Sequence, residues 1–202
     1  MTTHAHDTKP ATHGGSGISR MNIGALGMSI FIGSEIMLFA SFFTAYFIAR
    51  SNAVQWPPVF QGAESFEVPK LITGVNTAIL VFSSFTVWWA EKRLVAGDHK
   101  GLIRGLIVTM MLGTTFLVIQ INEYIHLGFT PQDTIFGSVF YCLTGLHGAH
   151  VFIGLSVLGF SLNRARRGEF SHGHMGPLTA ASIYWHFVDV VWVFLYVVVY
   201  LV

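Results

Sequence analysis

Tyr184-Trp185-His186-Phe187-Val188-Asp189-Val190-Val191-Trp192 stands inside an apolar run that continues to Val202. A run of that length reads as a membrane-crossing helix. Ionisable groups in hydrocarbon are costly, so His186 and Asp189 are expected to serve a function or to be buried against a partner helix. Three residues apart, they share one helical face, and a direct hydrogen bond between them is the natural expectation.

Four further runs upstream are also long enough to span a bilayer, which takes about 20 apolar residues. The five spans fall at 23–49, 71–89, 103–125, 137–162 and 180–202. They predict an all-α, polytopic membrane helix bundle over 21–202, preceded by a polar arm over 1–20 that has no apolar core of its own and is expected to stay flexible. The first span is too long for a signal peptide and lacks a small-residue cleavage site at its end. Composition agrees: 52% of the residues are hydrophobic and only 10% charged, where a soluble domain carries about 25%. The net charge of +1 and the lack of a basic tract exclude nucleic acid as a partner. A single cysteine, Cys142, rules out an internal disulfide and reads as a packing residue.

Lys and Arg sort unevenly between the two ends of the spans. Nine stand in the arm (Lys9, Arg20), the second loop (Lys92, Arg93, Lys100, Arg104) and the fourth loop (Arg164, Arg166, Arg167); two, Arg50 and Lys70, flank the first loop. The positive-inside rule therefore puts the N-terminus in the cytoplasm. The longest connection, over 50–70, is a short loop marked by Trp56-Pro57-Pro58 and Val68-Pro69, so no soluble domain and no internal repeat is expected.

Several polar groups fall at membrane depth. Glu35 lies near the middle of the first span, where a carboxyl must be neutral or paired; a hydrogen bond to a neighbouring helix and a proton-handling role both fit. His147 and His150, in Gly145-Leu146-His147-Gly148-Ala149-His150, stand one turn apart. They suit either a shared metal, with His186, Asp189 and Glu35 as the only further ligands at depth, or interhelical hydrogen bonds. In the second case Gly145, Gly148 and Gly154 would let helices approach. Gln120 and Glu123 close the third span; Glu123 suits an interfacial anchor reached by water, and both residues suit interhelical polar contacts. Trp56, Trp88, Trp89 and Tyr200 read as belt residues at the interface. His4, His6, His13, His172 and His174 are expected to be solvated.

Taken in order, these segments closely resemble subunit III of cytochrome c oxidase, in the haem-copper oxidase superfamily. The resemblance rests on Ser34-Glu35, Trp56-Pro57-Pro58, Glu67-Val68-Pro69, Gln120 with Glu123-Tyr124, Gly137-Ser138-Val139-Phe140, Thr144 to Val151, and Tyr184 to Trp192. It implies an accessory subunit without haem or copper of its own and without a metal site, seated beside the catalytic subunit I. Subunit II and a small subunit IV would be further partners. Stabilisation of subunit I, support of proton uptake and phospholipid binding in a cleft are the implied roles. Glu35 matches the family's carbodiimide-sensitive acid. The seven-helix form of the family has two further N-terminal helices forming one arm of that cleft, and this chain begins where its third helix would. The resemblance is therefore to five-helix bacterial members, which implies a bacterial plasma membrane. A quinol oxidase subunit III and a nitric oxide reductase accessory protein share the fold. An autonomous transporter or proton channel would need discontinuous helices in two repeats, and none is seen.

Overall fold

A computed structural model describes residues 23–54, 56, 70–170 and 176–201. Five helices run through them: α1 (Ile23–Asn52), α2 (Lys70–Val95), α3 (His99–His126), α4 (Ile135–Arg166) and α5 (Gly176–Tyr196), the last continuing into a π-helical segment, Val197–Leu201. All five are long and apolar enough to cross a membrane, and no strand occurs among the described residues. The arm, Pro57-Pro58, the Glu67-Val68-Pro69 segment and His172 and His174 lie outside the described residues.

The helices outrun the apolar spans. Lys92 and Arg93 sit in the last turn of α2, and Arg164 and Arg166 in that of α4. An intrahelical ladder satisfies its own backbone whether or not the side chains are apolar, so helix persists into the polar zone while hydropathy stops short. What ends these helices is turn chemistry. After α2, Gly97 takes φ 76°, its N–H bonds the Leu94 carbonyl and the Asp98 N–H bonds that of Arg93, a closed C-terminal cap that only glycine enters without strain. Asp98 then accepts from Gly101 N at 2.9 Å and starts α3 at once. Gly168 repeats the device after α4, with φ 72° and bonds from Gly168 N to Ala165 O and Glu169 N to Arg164 O. Thr134 caps α4 at the opposite end, accepting from Gly137 N.

Helix α5 is the post of the bundle. It packs on α1, α2 and α4, while α3 fills between α2 and α4. Half of the membrane-crossing window of α5 is buried, against 11% of that of α1, which leans on the outside of α4 and α5. Trp185 and Trp192 of α5 are both fully buried. Each indole N–H donates to a hydroxyl of α2, Trp185 to Ser83 and Trp192 to Thr77, both at 2.9 Å. Small residues make room for the larger ring. A Cβ on Gly113 of α3 would lie 2.6 Å from Trp185, and one on Gly154 of α4 would lie 2.9 Å from it. One side chain thus touches three neighbouring helices. Gly154 plays the close-approach role expected of it, whereas Gly145 and Gly148 meet nothing nearer than 3.9 Å and 4.0 Å. Cys142, read as a packing residue, is exposed on the surface of the bundle. It stands on the face of α4 away from the buried positions Phe140, Leu143 and Thr144, because one helical step turns a side chain by about 100°.

Overpacking a filled interior costs about 1–3 kcal/mol. Gly113→Ala is therefore expected to lower the thermal midpoint of the detergent-solubilised protein, while Gly145→Ala, whose new methyl would meet only ordinary contacts, should leave it near the parent value. Equal midpoints for the two variants would contradict the placement of Trp185.

Candidate functional site

Three groups of polar side chains lie between the helices. The first joins α1 to α4. Glu35 Oε2 is 2.7 Å from His150 Nε2, and the two side chains are 14% and 9% exposed. His150 Nδ1 lies 2.8 Å from the Leu146 carbonyl oxygen. A carbonyl only accepts, so Nδ1 carries a proton. The contact at Nε2 then holds one further proton between the two groups, either on Glu35, facing a neutral imidazole, or on His150, facing a carboxylate. Both forms are neutral as a pair, which is how an acid and a base are held at low cost in hydrocarbon. The Tyr184 hydroxyl donates to the His150 carbonyl at 3.3 Å, and the Phe39 ring packs 5.1 Å from the imidazole.

The second group joins α5 to α2 and corrects the expected His186–Asp189 bond. Both residues reach the same hydroxyl. Ser84 donates to Asp189 Oδ2, and His186 Nδ1 is 3.0 Å from Ser84 Oγ. With its proton committed to Asp189, Ser84 accepts from His186, so that imidazole carries its proton on Nδ1. The shared face was read correctly; what it faces is α2, where a serine is small enough to stand between the two side chains. Asp189 is 4% exposed and so does not face lipid.

The third group lies at the end of α3 remote from the basic loops. Glu123 and Gln120 are 6% and 3% exposed, so the interior reading holds for them and the solvated-anchor reading of Glu123 does not. Glu123 Oε1 accepts from Thr73 of α2 at 2.9 Å, and Tyr124 donates to Thr144 of α4 at 2.6 Å. The phenol of Tyr200 is set against Glu123 and Gln120. Tyr200 is 2% exposed, so it is an interior residue rather than a belt residue. The outcome follows from position on the helix: Gln120 and Glu123 continue the buried stripe of Gly113 and Phe116, which turns them inward at whatever depth they lie. Trp88 and Trp89 do face outward, under Lys92 and Arg93 at 5.4 Å and 4.8 Å. Trp56 instead donates to the Tyr46 hydroxyl and packs edge-on against Phe136.

His147 is not an interhelical hydrogen-bonding group in this arrangement. It is fully buried, neither ring nitrogen has a protein partner, and its imidazole lies between Trp192, 4.7 Å away, and Phe116, 5.9 Å away. His147 and His150 point to different surroundings, so they do not converge on one ion. Among the described residues no three His, Cys, Asp or Glu side chains are grouped to hold a metal. The residues that sequence reasoning missed are the partners on α2: Thr73, Thr77, Ser83 and Ser84. Together with Asn76, which donates to the Phe116 carbonyl, they recur at helical spacing along one side of α2. That periodic polar stripe within an apolar span was the available signal.

A family model described as cytochrome c oxidase subunit III matches residues 8–202. Cytochrome c oxidase subunit 3 of Drosophila yakuba is 45% identical over 179 residues, covering 86% of this chain and 67% of the relative. The protein of the same name from Anopheles gambiae is 43% identical over 180 residues, and that from Papio hamadryas 41% over 180, each with the same coverage.

Ser84 supplies the hydrogen bond of Asp189 Oδ2 and the acceptor for His186, so Ser84→Ala leaves two polar groups without it. Such a loss costs about 1–3 kcal/mol. Unfolding of the detergent-solubilised protein is expected to shift by that amount relative to the neighbouring exposed-site variant Phe85→Ala. A Ser84→Ala protein as stable as its parent would remove the serine from its bridging role.

Proposed function

The chain belongs to the cytochrome c oxidase subunit III family, and from that membership we propose that it is a non-redox, accessory subunit of a haem-copper oxidase that reduces oxygen to water and pumps protons. In this reading it is a non-catalytic part of the enzyme: haem and copper belong to the partner subunits, and this chain's direct neighbour is subunit I, with subunit II and a small subunit IV in the same complex. The bundle is a multi-pass membrane protein. We assign it to a bacterial plasma membrane with the N-terminus cytoplasmic. The concentration of Lys and Arg at the arm and at the α2–α3 and α4–α5 connections supports the cytoplasmic N-terminus.

The observation that carries the accessory reading is how the intramembrane ionisable groups are spent. Glu35 goes to His150, Asp189 and His186 go to Ser84, and Glu123 goes to Thr73. Each bond links two helices, so each stiffens the scaffold. A rigid bundle is what a stabilising neighbour of a catalytic subunit needs, because the outer helix α1 has little buried surface of its own. The Glu35–His150 pair has a second use in this reading. It holds one proton between two atoms 2.7 Å apart, so the pair can pass that proton from acid to base without changing its net charge. Phospholipid bound at the grooves between helices completes the proposal.

Purification of the tagged chain in mild detergent tests it. The expected preparation carries haem bands and copper from co-purifying partners and oxidises reduced cytochrome c faster than quinol. After the partners are stripped away, this chain should be colourless. A haem band or a stoichiometric transition metal remaining on the stripped chain would overturn the accessory role, and oxidation of quinol in preference to cytochrome c would move the protein to the quinol branch.

A further inference from the structure

The basic end of the bundle holds a groove between α3 and α4 that the polar contacts above do not use. Its walls are Ile107, Met110, Met111 and Thr114 of α3 with Leu162 and Arg166 of α4, and it encloses about 450 Å³. From Ile107 to Thr114 the floor runs about 11 Å along α3, comparable with the ~15 Å depth of one hydrocarbon leaflet.

Charge distinguishes this groove from the larger one at the opposite end, and two guanidiniums without a carboxylate distinguish it from the smaller one beside Glu91 and Lys92. Arg166 lines its mouth, and Arg104 stands one turn beyond Ile107 on the same face of α3, exposed like Arg166. Two other arginines near this end are engaged: Arg93 lies 3.7 Å from Asp98, and Arg164 is 2.9 Å from Glu169. Among the described residues no carboxylate pairs with Arg104 or Arg166. The larger groove at the opposite end, about 590 Å³ between α1 and α4, is lined by Asn52, Trp56, Thr134 and apolar residues, without a cation. An apolar trough that opens on two unpaired guanidiniums complements one kind of molecule, an acyl chain joined to an anion.

We propose that the α3–α4 groove is a binding site for an anionic glycerophospholipid, its phosphate held by Arg104 and Arg166 and one acyl chain laid along Ile107, Met111 and Leu162. The proposal rests on the lipid-binding part of the functional reading and names the site and the headgroup class. Guanidiniums rather than ammoniums suit the task, since their forked donors meet two phosphate oxygens at once.

Native mass spectrometry of the full chain with its co-purifying subunits, supplied with equal phosphatidylglycerol and phosphatidylcholine, tests this. A basic side chain at an anionic lipid surface is worth about fivefold in binding, so phosphatidylglycerol is expected to be retained roughly 25-fold better. The Arg104→Gln/Arg166→Gln protein should lose that preference, Arg104→Lys/Arg166→Lys should keep most of it, and Arg167→Gln, outside the groove, should keep it whole. Met111→Trp, which fills the trough, should lower retention of both lipids. Equal retention by the unaltered protein, or a preference that survives the double Gln variant, would overturn the site. If the double Gln protein cannot be purified, undiminished retention by Met111→Trp does so. Haem absorbance in the same preparations scores the oxidase reading separately.

Discussion

Hydrocarbon offers a polar side chain no water to fall back on, so such a group in this bundle bonds its own helix's backbone, as Thr44 and Ser156 do, finds a partner on another helix or is closed in by packing. That constraint turns a handful of acids, imidazoles and hydroxyls into fasteners. Glu35 ties α1 to α4, Ser84 ties α2 to α5, Thr73 ties α2 to α3, and Tyr124 ties α3 to α4. Apolar contact alone distinguishes poorly between one helix face and another when lipid is as apolar as leucine. The polar contacts supply the register, and the Trp185 ring, seated against Gly113 and Gly154, supplies the distance.

The same economy links structure to function. An intramembrane acid with an open coordination sphere suggests chemistry, whereas one committed to a neighbouring helix suggests architecture. Glu35 belongs to both descriptions, because its partner is a base whose other nitrogen is already fixed by a backbone carbonyl. A single proton shared across that contact keeps the pair neutral wherever it rests. Membership of an oxidase complex gives this arrangement a purpose: α1 shows most of its surface outside the bundle, and its attachment leans on Glu35, on the Tyr46 bond to the Val198 carbonyl and on aromatic contacts such as Phe43 with Phe194.

The fold was legible because hydropathy and length speak directly to a bilayer; five runs of apolar residues became five helices. Their ends were less so, since Gly97 and Gly168 close helices through backbone bonds that hydropathy does not register. The polar sites were legible as positions and not as partnerships. A histidine and an aspartate three residues apart announce a common face, yet nothing local says that a serine a hundred residues earlier will stand between them. Depth misled as well. Tyr200 lies near a helix end, where solvation is the ordinary outcome, but it sits on a stripe that turns it into the interior. The hydroxyls of α2 escaped notice because serine and threonine are cheap in a membrane helix and carry no charge to attract attention.

The claim that polar pairs fasten the helices is tested most directly by a double-mutant cycle on Glu35→Ala and His150→Ala, read as unfolding free energy of the detergent-solubilised protein. Side-chain hydrogen bonds between membrane helices couple by about 0.6 kcal/mol on average and up to about 1.7. A coupling of about 1–1.7 kcal/mol, in the upper part of that range, is predicted for this acid–base pair. Strictly additive losses, with a coupling indistinguishable from zero, would contradict the account.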